Sequence, residues 1–298
     1  MSSAPSPTPH PEPPTAPSAR RRTVTSDGHR LAVVEVGSSN APAWVLAHGA
    51  GSSARFLLAA VAGPVLAAGG RLVTYDLRGH GASSPAREVT EHHLDAHAAD
   101  LAAVVATPDG AIAVVGGVSL GAHAAARVAA SWPPGSEPAA VLACLPAWTG
   151  TPVRGTGPHA AIAAELQRVG VAGLLTAIAA DRDLAPWLRE TLLTDYARHD
   201  PDSLAAVLRS LDGGAAPGPG ELARLTRPLA ILGWPDDPGH PLDVAREWAR
   251  LAPVTALVTL AIGDLDRDLE LLGSRAVDAV RLTLGQVPHP VPRSGPAG

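Results

Sequence analysis

Ser119 is the residue whose neighbours say most about chemistry. It is the centre of Gly117-Val118-Ser119-Leu120-Gly121, a G-x-S-x-G pentapeptide. The apolar, β-branched run Ile112-Ala113-Val114-Val115 leads into it, and an alanine-rich stretch ending at Pro133-Pro134 follows. The pattern therefore predicts a strand, a sharp turn and a helix. A serine on such a turn takes a strained backbone conformation, and the residues two before and two after it must be small for strand and helix to approach. The turn also puts the serine at a helix N-terminus, where N–H groups, that of Leu120 among them, face a developing oxyanion. A second glycine loop, His48-Gly49-Ala50-Gly51, follows another apolar run. In an acyl-transfer site that loop would supply the other donor, the Ala50 N–H.

A hydroxyl nucleophile needs a base within reach and an acid to orient the base. The apolar run Leu229–Gly233 opens into Trp234-Pro235-Asp236-Asp237-Pro238-Gly239-His240-Pro241, which holds two carboxylates and an imidazole, although Asp-Pro-Gly is also good turn chemistry. Only His240 and His289 follow Asp237 in the chain. His289 lies in a proline-rich tail, which is unsuited to holding catalytic geometry within about 0.5 Å. His93 and His97 are spaced i, i+4 but have no third ligand beside them, so with His92 they read as a solvated helix face and no metal is expected. His123, one helical turn past Ser119, is expected to pack behind it.

A rival reading starts from Gly49-Ala50-Gly51-Ser52-Ser53-Ala54, which fits the dinucleotide fingerprint G-x-G-x-x-A, with Asp76 ending the next strand. Two strand-like segments precede this one, whereas a fingerprint strand normally opens its fold. Asp76 also runs straight into Arg78-Gly79-His80-Gly81, a turn that a ribose-binding acid does not need. All 23 basic residues are arginine. The absence of lysine removes Schiff-base chemistry, a phosphate-loop lysine and the Tyr/Lys pair of many dehydrogenases. No organic cofactor is expected.

The elements that must hold these residues alternate along the chain. Strands are predicted near Arg22–Thr25, Leu31–Val36, Trp44–Ala47, Leu72–Tyr75, Ile112–Val115, Ala139–Leu145, Leu229–Leu232 and Ala256–Ala261. Helices are predicted at Arg55–Ala68, His92–Ala106, Leu120–Ser131, Val244–Leu251 and Leu265–Leu284. This alternation implies an α/β fold with a mostly parallel sheet flanked by helices. Residues 151–226 break it with helical patterns alone, at His159–Val169, Val171–Ala180, Leu184–Arg198 and Ser203–Leu211, the last opened by Asp200-Pro201. A Gly/Pro-rich linker, Gly213–Gly220, closes the stretch. An all-helical insert at that point is expected to cap the sheet's C-terminal edge, with Trp148, Trp187 and Tyr196 as candidate pocket or packing residues.

Composition narrows the partners. Hydrophobic residues make up 46% of the 298 and aromatics 3%, so the core is built from small side chains packed closely. The net charge of −5 and the lack of a basic block beyond Arg20-Arg21-Arg22 argue against a nucleic-acid surface. Cys144 is the sole cysteine and reads as a core residue. Residues 1–19 and 287–298 read as disordered and proline-rich, without the apolar core of a secretory signal. No uninterrupted apolar run reaches the roughly 18 residues of a membrane span, so a cytoplasmic protein with a small-molecule substrate is expected. Oligomeric state is left open.

Taken in order and spacing, His48-Gly49, then Asp76-Leu77-Arg78-Gly79-His80-Gly81-Ala82-Ser83, then Gly117-Val118-Ser119-Leu120-Gly121, resemble the α/β-hydrolase fold superfamily. The resemblance covers residues 22–150 well and 227–285 moderately, with 151–226 in the place of the variable cap. It implies a core of residues 20–150 and 227–286, and a mainly structural role for Asp76, Arg78 and His80. It aligns Asp237 with the catalytic acid, with Asp236 one position away as the alternative. It also implies a histidine just after the last strand, where this chain reads Leu260-Ala261-Ile262-Gly263-Asp264-Leu265-Asp266 and has none. Two expectations follow. Either His240 serves as general base, and the protein is a serine hydrolase of small esters, lactones or related acyl compounds, or the chain is an impaired pseudo-hydrolase that binds a small ligand under its cap.

Overall fold

A computed structural model of the protein describes residues 19–132, 137–148, 150, 158–212 and 217–287. The terminal segments 1–18 and 288–298, with His289, and the linker residues 213–216 lie outside the described residues. The described residues form eight strands: β1 (Arg20–Ser26), β2 (His29–Val36), β3 (Ala43–Ala47), β4 (Arg71–Tyr75), β5 (Ile112–Val118), β6 (Ala140–Cys144), β7 (Leu229–Gly233) and β8 (Thr255–Thr259). They join in one sheet of order β1-β2-β4-β3-β5-β6-β7-β8. β1 and β2 are a hairpin whose turn residues Asp27 and Gly28 both have positive φ, 46° and 77°. β2 also runs antiparallel to β4, and the remaining pairs are parallel. Every residue of β3, β4, β6 and β7 is buried, and β3, β6 and β7 accordingly read as unbroken apolar runs rather than alternating ones, whereas β4 carries the buried Arg71 and Thr74.

Nine helices occur among the described residues: α1 (Ala54–Ala67), α2 (Leu94–Val105), α3 (Leu120–Ala130), α4 (Pro158–Ala180), α5 (Pro186–Tyr196), α6 (Pro201–Asp212), α7 (Pro219–Ala223), α8 (Leu242–Leu251) and α9 (Leu271–Leu284). Leu57, Val61, Leu272 and Val280 of α1 and α9 fill one face of the sheet. Leu101, Val104, Ala125 and Trp248 of α2, α3 and α8 fill the other. Several boundaries differ from the sequence reading, two of them at helix starts with a local cause. The helix expected from His92 starts at Leu94, after a 3-10 turn over Val89–His92. The helix expected from Leu265 starts at Leu271, because Ile262–Asp266 is a separate 3-10 turn and the Asp268 carboxylate accepts the Glu270 N–H at 2.9 Å.

The chain order creates a crevice. From β3 the chain steps to β4 on one side, and from β5 it steps to β6 on the other. The loops leaving β3 and β5 therefore part at the carboxyl edge while their strands stay paired, Ala47 opposite Gly117. Helices α4–α7 fall between β6 and β7. α4 breaks at Gly170 (φ 70°, ψ 176°) into the two helices read from the sequence, and it packs along α6. By length and composition alone, His159–Ala180 would suffice to cross a membrane. α6 starts as its sequence predicts: the Asp200 carboxylate accepts the Ser203 N–H at 3.0 Å and Pro201 occupies the first turn.

Candidate active site

Ser119 sits between β5 and α3 with φ 51° and ψ −116°, a left-handed conformation held against its own side chain. Backbone hydrogen bonds hold that strain on both sides. The Ser119 N–H donates to the Cys144 carbonyl at 2.8 Å, and its carbonyl accepts from Ala122 and His123 at 2.8 and 3.1 Å. The flanking glycines are sterically required. A Cβ on Gly117 or Gly121 would run into the Ala47 carbonyl group of the neighbouring strand. Leu120 is the first residue of α3, so its N–H has no acceptor within the helix.

The loop after β7 places two further groups on Ser119. The Ser119 hydroxyl donates to His240 Nε2 at 2.9 Å, and His240 Nδ1–H donates to Asp237 Oδ2 at 2.6 Å. Acid and imidazole are only three residues apart, and a local turn makes this possible. Asp237 Oδ1 accepts the Gly239 N–H at 2.8 Å and the Asp237 carbonyl accepts the His240 N–H at 3.3 Å, folding the chain back so that Oδ2 meets the ring. Burial alone would raise the Asp237 carboxyl, but hydrogen bonding and charge from His240, with the Gly239 and His240 N–H groups, outweigh it and hold the group below the usual carboxylate range. Asp236 faces elsewhere and accepts the Ile262 N–H at 3.1 Å. The His240 and Asp237 side chains remain 24% and 15% exposed, so a solute can reach them.

The loop after β3 closes against the serine. A Cβ on Gly49 would lie 3.2 Å from the Ser119 Cβ. The Gly49 carbonyl accepts from His48 Nδ1–H at 2.7 Å and from the Ser52 N–H at 3.1 Å. Because the peptide is planar and trans, this fixes the Ala50 N–H on the opposite side. His48 Nε2 accepts the Leu77 N–H at 3.0 Å, and burial pushes this ring down to about 4. Asp76 accepts from the Ala54 and Ala82 N–H groups at 2.9 Å each, and Arg78 forms a bidentate pair with Asp100 at 2.7 Å. His80 donates from Nδ1 to the Arg78 carbonyl and accepts the Gly51 N–H at Nε2. His48, Asp76 and His80 are thus spent on backbone, and Arg78 on the Asp100 carboxylate.

His123 is buried behind the elbow. His123 stacks on Trp148 with ring centroids 4.1 Å apart and accepts the Ala147 N–H, and burial pushes it down to about 3. The expected solvated face at His92, His93 and His97 needs correction: His92 and His97 are buried, with rings 5.5 Å apart, and only His93 is exposed. The 3-10 turn shifts the phase of the segment, and His92 Nε2–H donates to the Ala86 carbonyl. No group of three metal-binding side chains occurs among the described residues. Cys144 is buried, and burial pushes its thiol up to about 12.

Sequence reasoning missed His199, which lies at the corner between α5 and α6. Its Nε2–H donates to the Gly51 carbonyl and its Nδ1 accepts the Gly81 N–H, both at 3.0 Å. Nothing local marks it beyond the Asp200-Pro201 helix start that follows. Trp187 and Tyr196 are buried in packing contacts, Trp187 between Phe56 and Trp234 and Tyr196 against Gly51. A cavity of about 340 Å³ lined by Leu120, Trp148 and Leu94 adjoins the elbow, and a cleft of about 560 Å³ runs past Asp237.

The family model for the alpha/beta hydrolase family matches residues 44–272. Several solved structures share the fold. The enol-lactonase from Burkholderia xenovorans LB400 is 20% identical with a TM-score of 0.69, covering 87% of this chain and 100% of its own. A thermophilic esterase from Thermogutta terrifontis is 20% identical with a TM-score of 0.67, covering 87% and 99%. The bottromycin epimerase BotH is 21% identical with a TM-score of 0.66, also covering 87% and 99%. A search of curated protein sequences finds no match. The chain belongs to the alpha/beta hydrolase family.

Proposed function

We propose that the protein is a serine hydrolase of small esters, lactones or related acyl compounds. The observation that carries this reading is the unbroken series Asp237–His240–Ser119, with hydrogen bonds of 2.6 and 2.9 Å. Ser119 Oγ attacks the acyl carbon while His240 Nε2 takes its proton. Asp237 holds the ring with Nε2 free to accept and stabilises the imidazolium that forms. The Leu120 and Ala50 N–H groups receive the charge on the tetrahedral oxygen. His240 then protonates the leaving alcohol, and a water activated by the same ring releases the acyl group from Ser119.

Family membership supports hydrolysis as the reaction type, and the esterase and lactonase among the structural neighbours agree with acyl transfer. BotH shows that the fold also serves an epimerase. The exposure of His240 and Asp237 suits a substrate that arrives from solvent beneath helices α4–α7, which we assign as the cap. The test is turnover of a panel of short p-nitrophenyl esters and γ-lactones. Saponification of at least one, abolished by Ser119→Ala, is the expected result. Equal turnover by the Ser119→Ala chain would remove the assignment.

A further inference from the structure

We propose that His199 is a positioning residue for the oxyanion site, which makes the helical insert a structural part of the catalytic centre and not only its roof. The inference rests on the Ser119 reading above. Its basis is the treatment of Gly51, the residue after the Ala50 donor. The Gly51 N–H is held by His80 of the core at 3.0 Å and its carbonyl by His199 of the insert at 3.0 Å. Gly51 has φ 74°, and an added Cβ would lie 2.7 Å from the Tyr196 ring, so the loop lies flat against the insert. Both peptide groups that follow the Ala50 N–H are thereby oriented.

The second nitrogen of His199 extends the hold. Nδ1 accepts the Gly81 N–H, and the next N–H, that of Ala82, donates to Asp76, whose other oxygen accepts the Ala54 N–H at the far end of the glycine loop. One imidazole therefore joins the insert, the 76–83 turn and the 48–54 loop. It must present one donor and one acceptor at once, which only the neutral ring does. Further ties hold the insert elsewhere: Ser53 Oγ–H to Asp195 at 2.8 Å, the Ala86 N–H to Ser203 Oγ at 3.0 Å, Arg87 to Asp200 at 2.8 Å, and Trp187 Nε1–H to the Ile262 carbonyl at 2.9 Å. Removing His199 leaves the insert docked while the Gly51 carbonyl and Gly81 N–H lose their partners. The glycine loop then relaxes, and a displacement of about 1 Å at an oxyanion donor is costly.

The experiment compares wild type, His199→Phe and His199→Gln in the full chain. The measurements are kcat and KM on p-nitrophenyl acetate, the inhibition constant of a methyl trifluoromethyl ketone, whose adduct with a serine bears an oxyanion, and the melting temperature. The phenylalanine variant should lose about 10- to 100-fold in kcat, with KM within about threefold, and bind the ketone more weakly by a similar factor. Glutamine, which carries one donor and one acceptor, should restore kcat to within about fivefold of wild type. A purely structural role would lower the melting temperature without selective loss of ketone affinity. If the phenylalanine variant does not fold, His199→Asn, which keeps the Gly81 acceptor, carries the same comparison, and full kcat in that variant overturns the proposal. Turnover that depends on Ser119 but stays within twofold of wild type in His199→Phe overturns this inference alone. Turnover indifferent to Ser119→Ala overturns the underlying assignment instead.

Discussion

Two loops leave adjacent parallel strands at the same edge of the sheet and have been put to opposite uses. The loop after β7, Trp234–Pro241, carries both Asp237 and His240, hydrogen-bonded to each other and on to Ser119. The loop after β8 has no histidine, and its polar groups hold neighbours in place. The Ile262 N–H donates to Asp236, the Ile262 carbonyl accepts from Trp187 Nε1–H, and Asp266 accepts the Trp187 N–H at 2.9 Å. On the proposed reading, in which Asp237 and His240 act as acid and base, the two need not come from separate strands. A turn that brings residue i+3 back onto residue i is sufficient, and the strand edge released from that task becomes a mooring for the insert.

The sharpest way to break this contrast is at the imidazole. His240→Ala should lower kcat about 10³- to 10⁴-fold on any ester the wild type hydrolyses, as loss of a general base does. Steady-state kinetics would show it, and a loss under tenfold would mean that another group takes the proton. The two neighbouring aspartates give the next test. Asp237→Asn should cost about 10²- to 10⁴-fold in kcat, while Asp236→Asn should stay within about fivefold and instead destabilise by about 1 kcal/mol through the weakened Ile262 bond. Equal kinetic losses would leave the acid unassigned.

Acid tests the buried imidazoles. Burial holds the folded His48 at about 4, against about 6.5 when unfolded. The unfolded chain therefore binds more protons as the pH falls from about 6.5 to about 4, and stability that is complete above that window is lost through it. His48 alone accounts for on the order of 3 kcal/mol, and His123 adds in the same direction. Thermal unfolding followed from pH 7.5 to 4.5 should show a falling melting temperature, less steep in His123→Phe. A flat profile would mean that these rings are not buried and neutral. The smallest expected effect lies in the loop after β8. Asp266→Ala should cost about 1 kcal/mol in urea unfolding, with kcat changed less than about threefold.

Much of the fold was legible because its signals are local. The pentapeptide at Ser119, the buried runs of β3 to β7 and the Asp200-Pro201 helix start all depend on neighbours in sequence. So does the break at Gly170, where the chain needs a positive φ. The sequence left His240 as the candidate base against the alternative of no base at all, and its contact with Ser119 depends on how the 237–240 turn faces β5, over a separation of 121 residues. His199 reaches Gly51 across 148 residues with no motif to announce it. The misread burial of His92 and His97 has a local cause. A 3-10 turn in place of the first helical turn alters the phase on which the amphipathic reading depended.

The direct measurement is the rate at which a fluorophosphonate labels the protein, compared between wild type and His240→Ala, with the modified residue located by mass spectrometry. A Ser119 adduct that forms at least about 100-fold more slowly without His240 is the predicted result. Equal labelling rates in the two proteins, or an adduct on a different serine, would contradict a nucleophile activated from within the β7 loop.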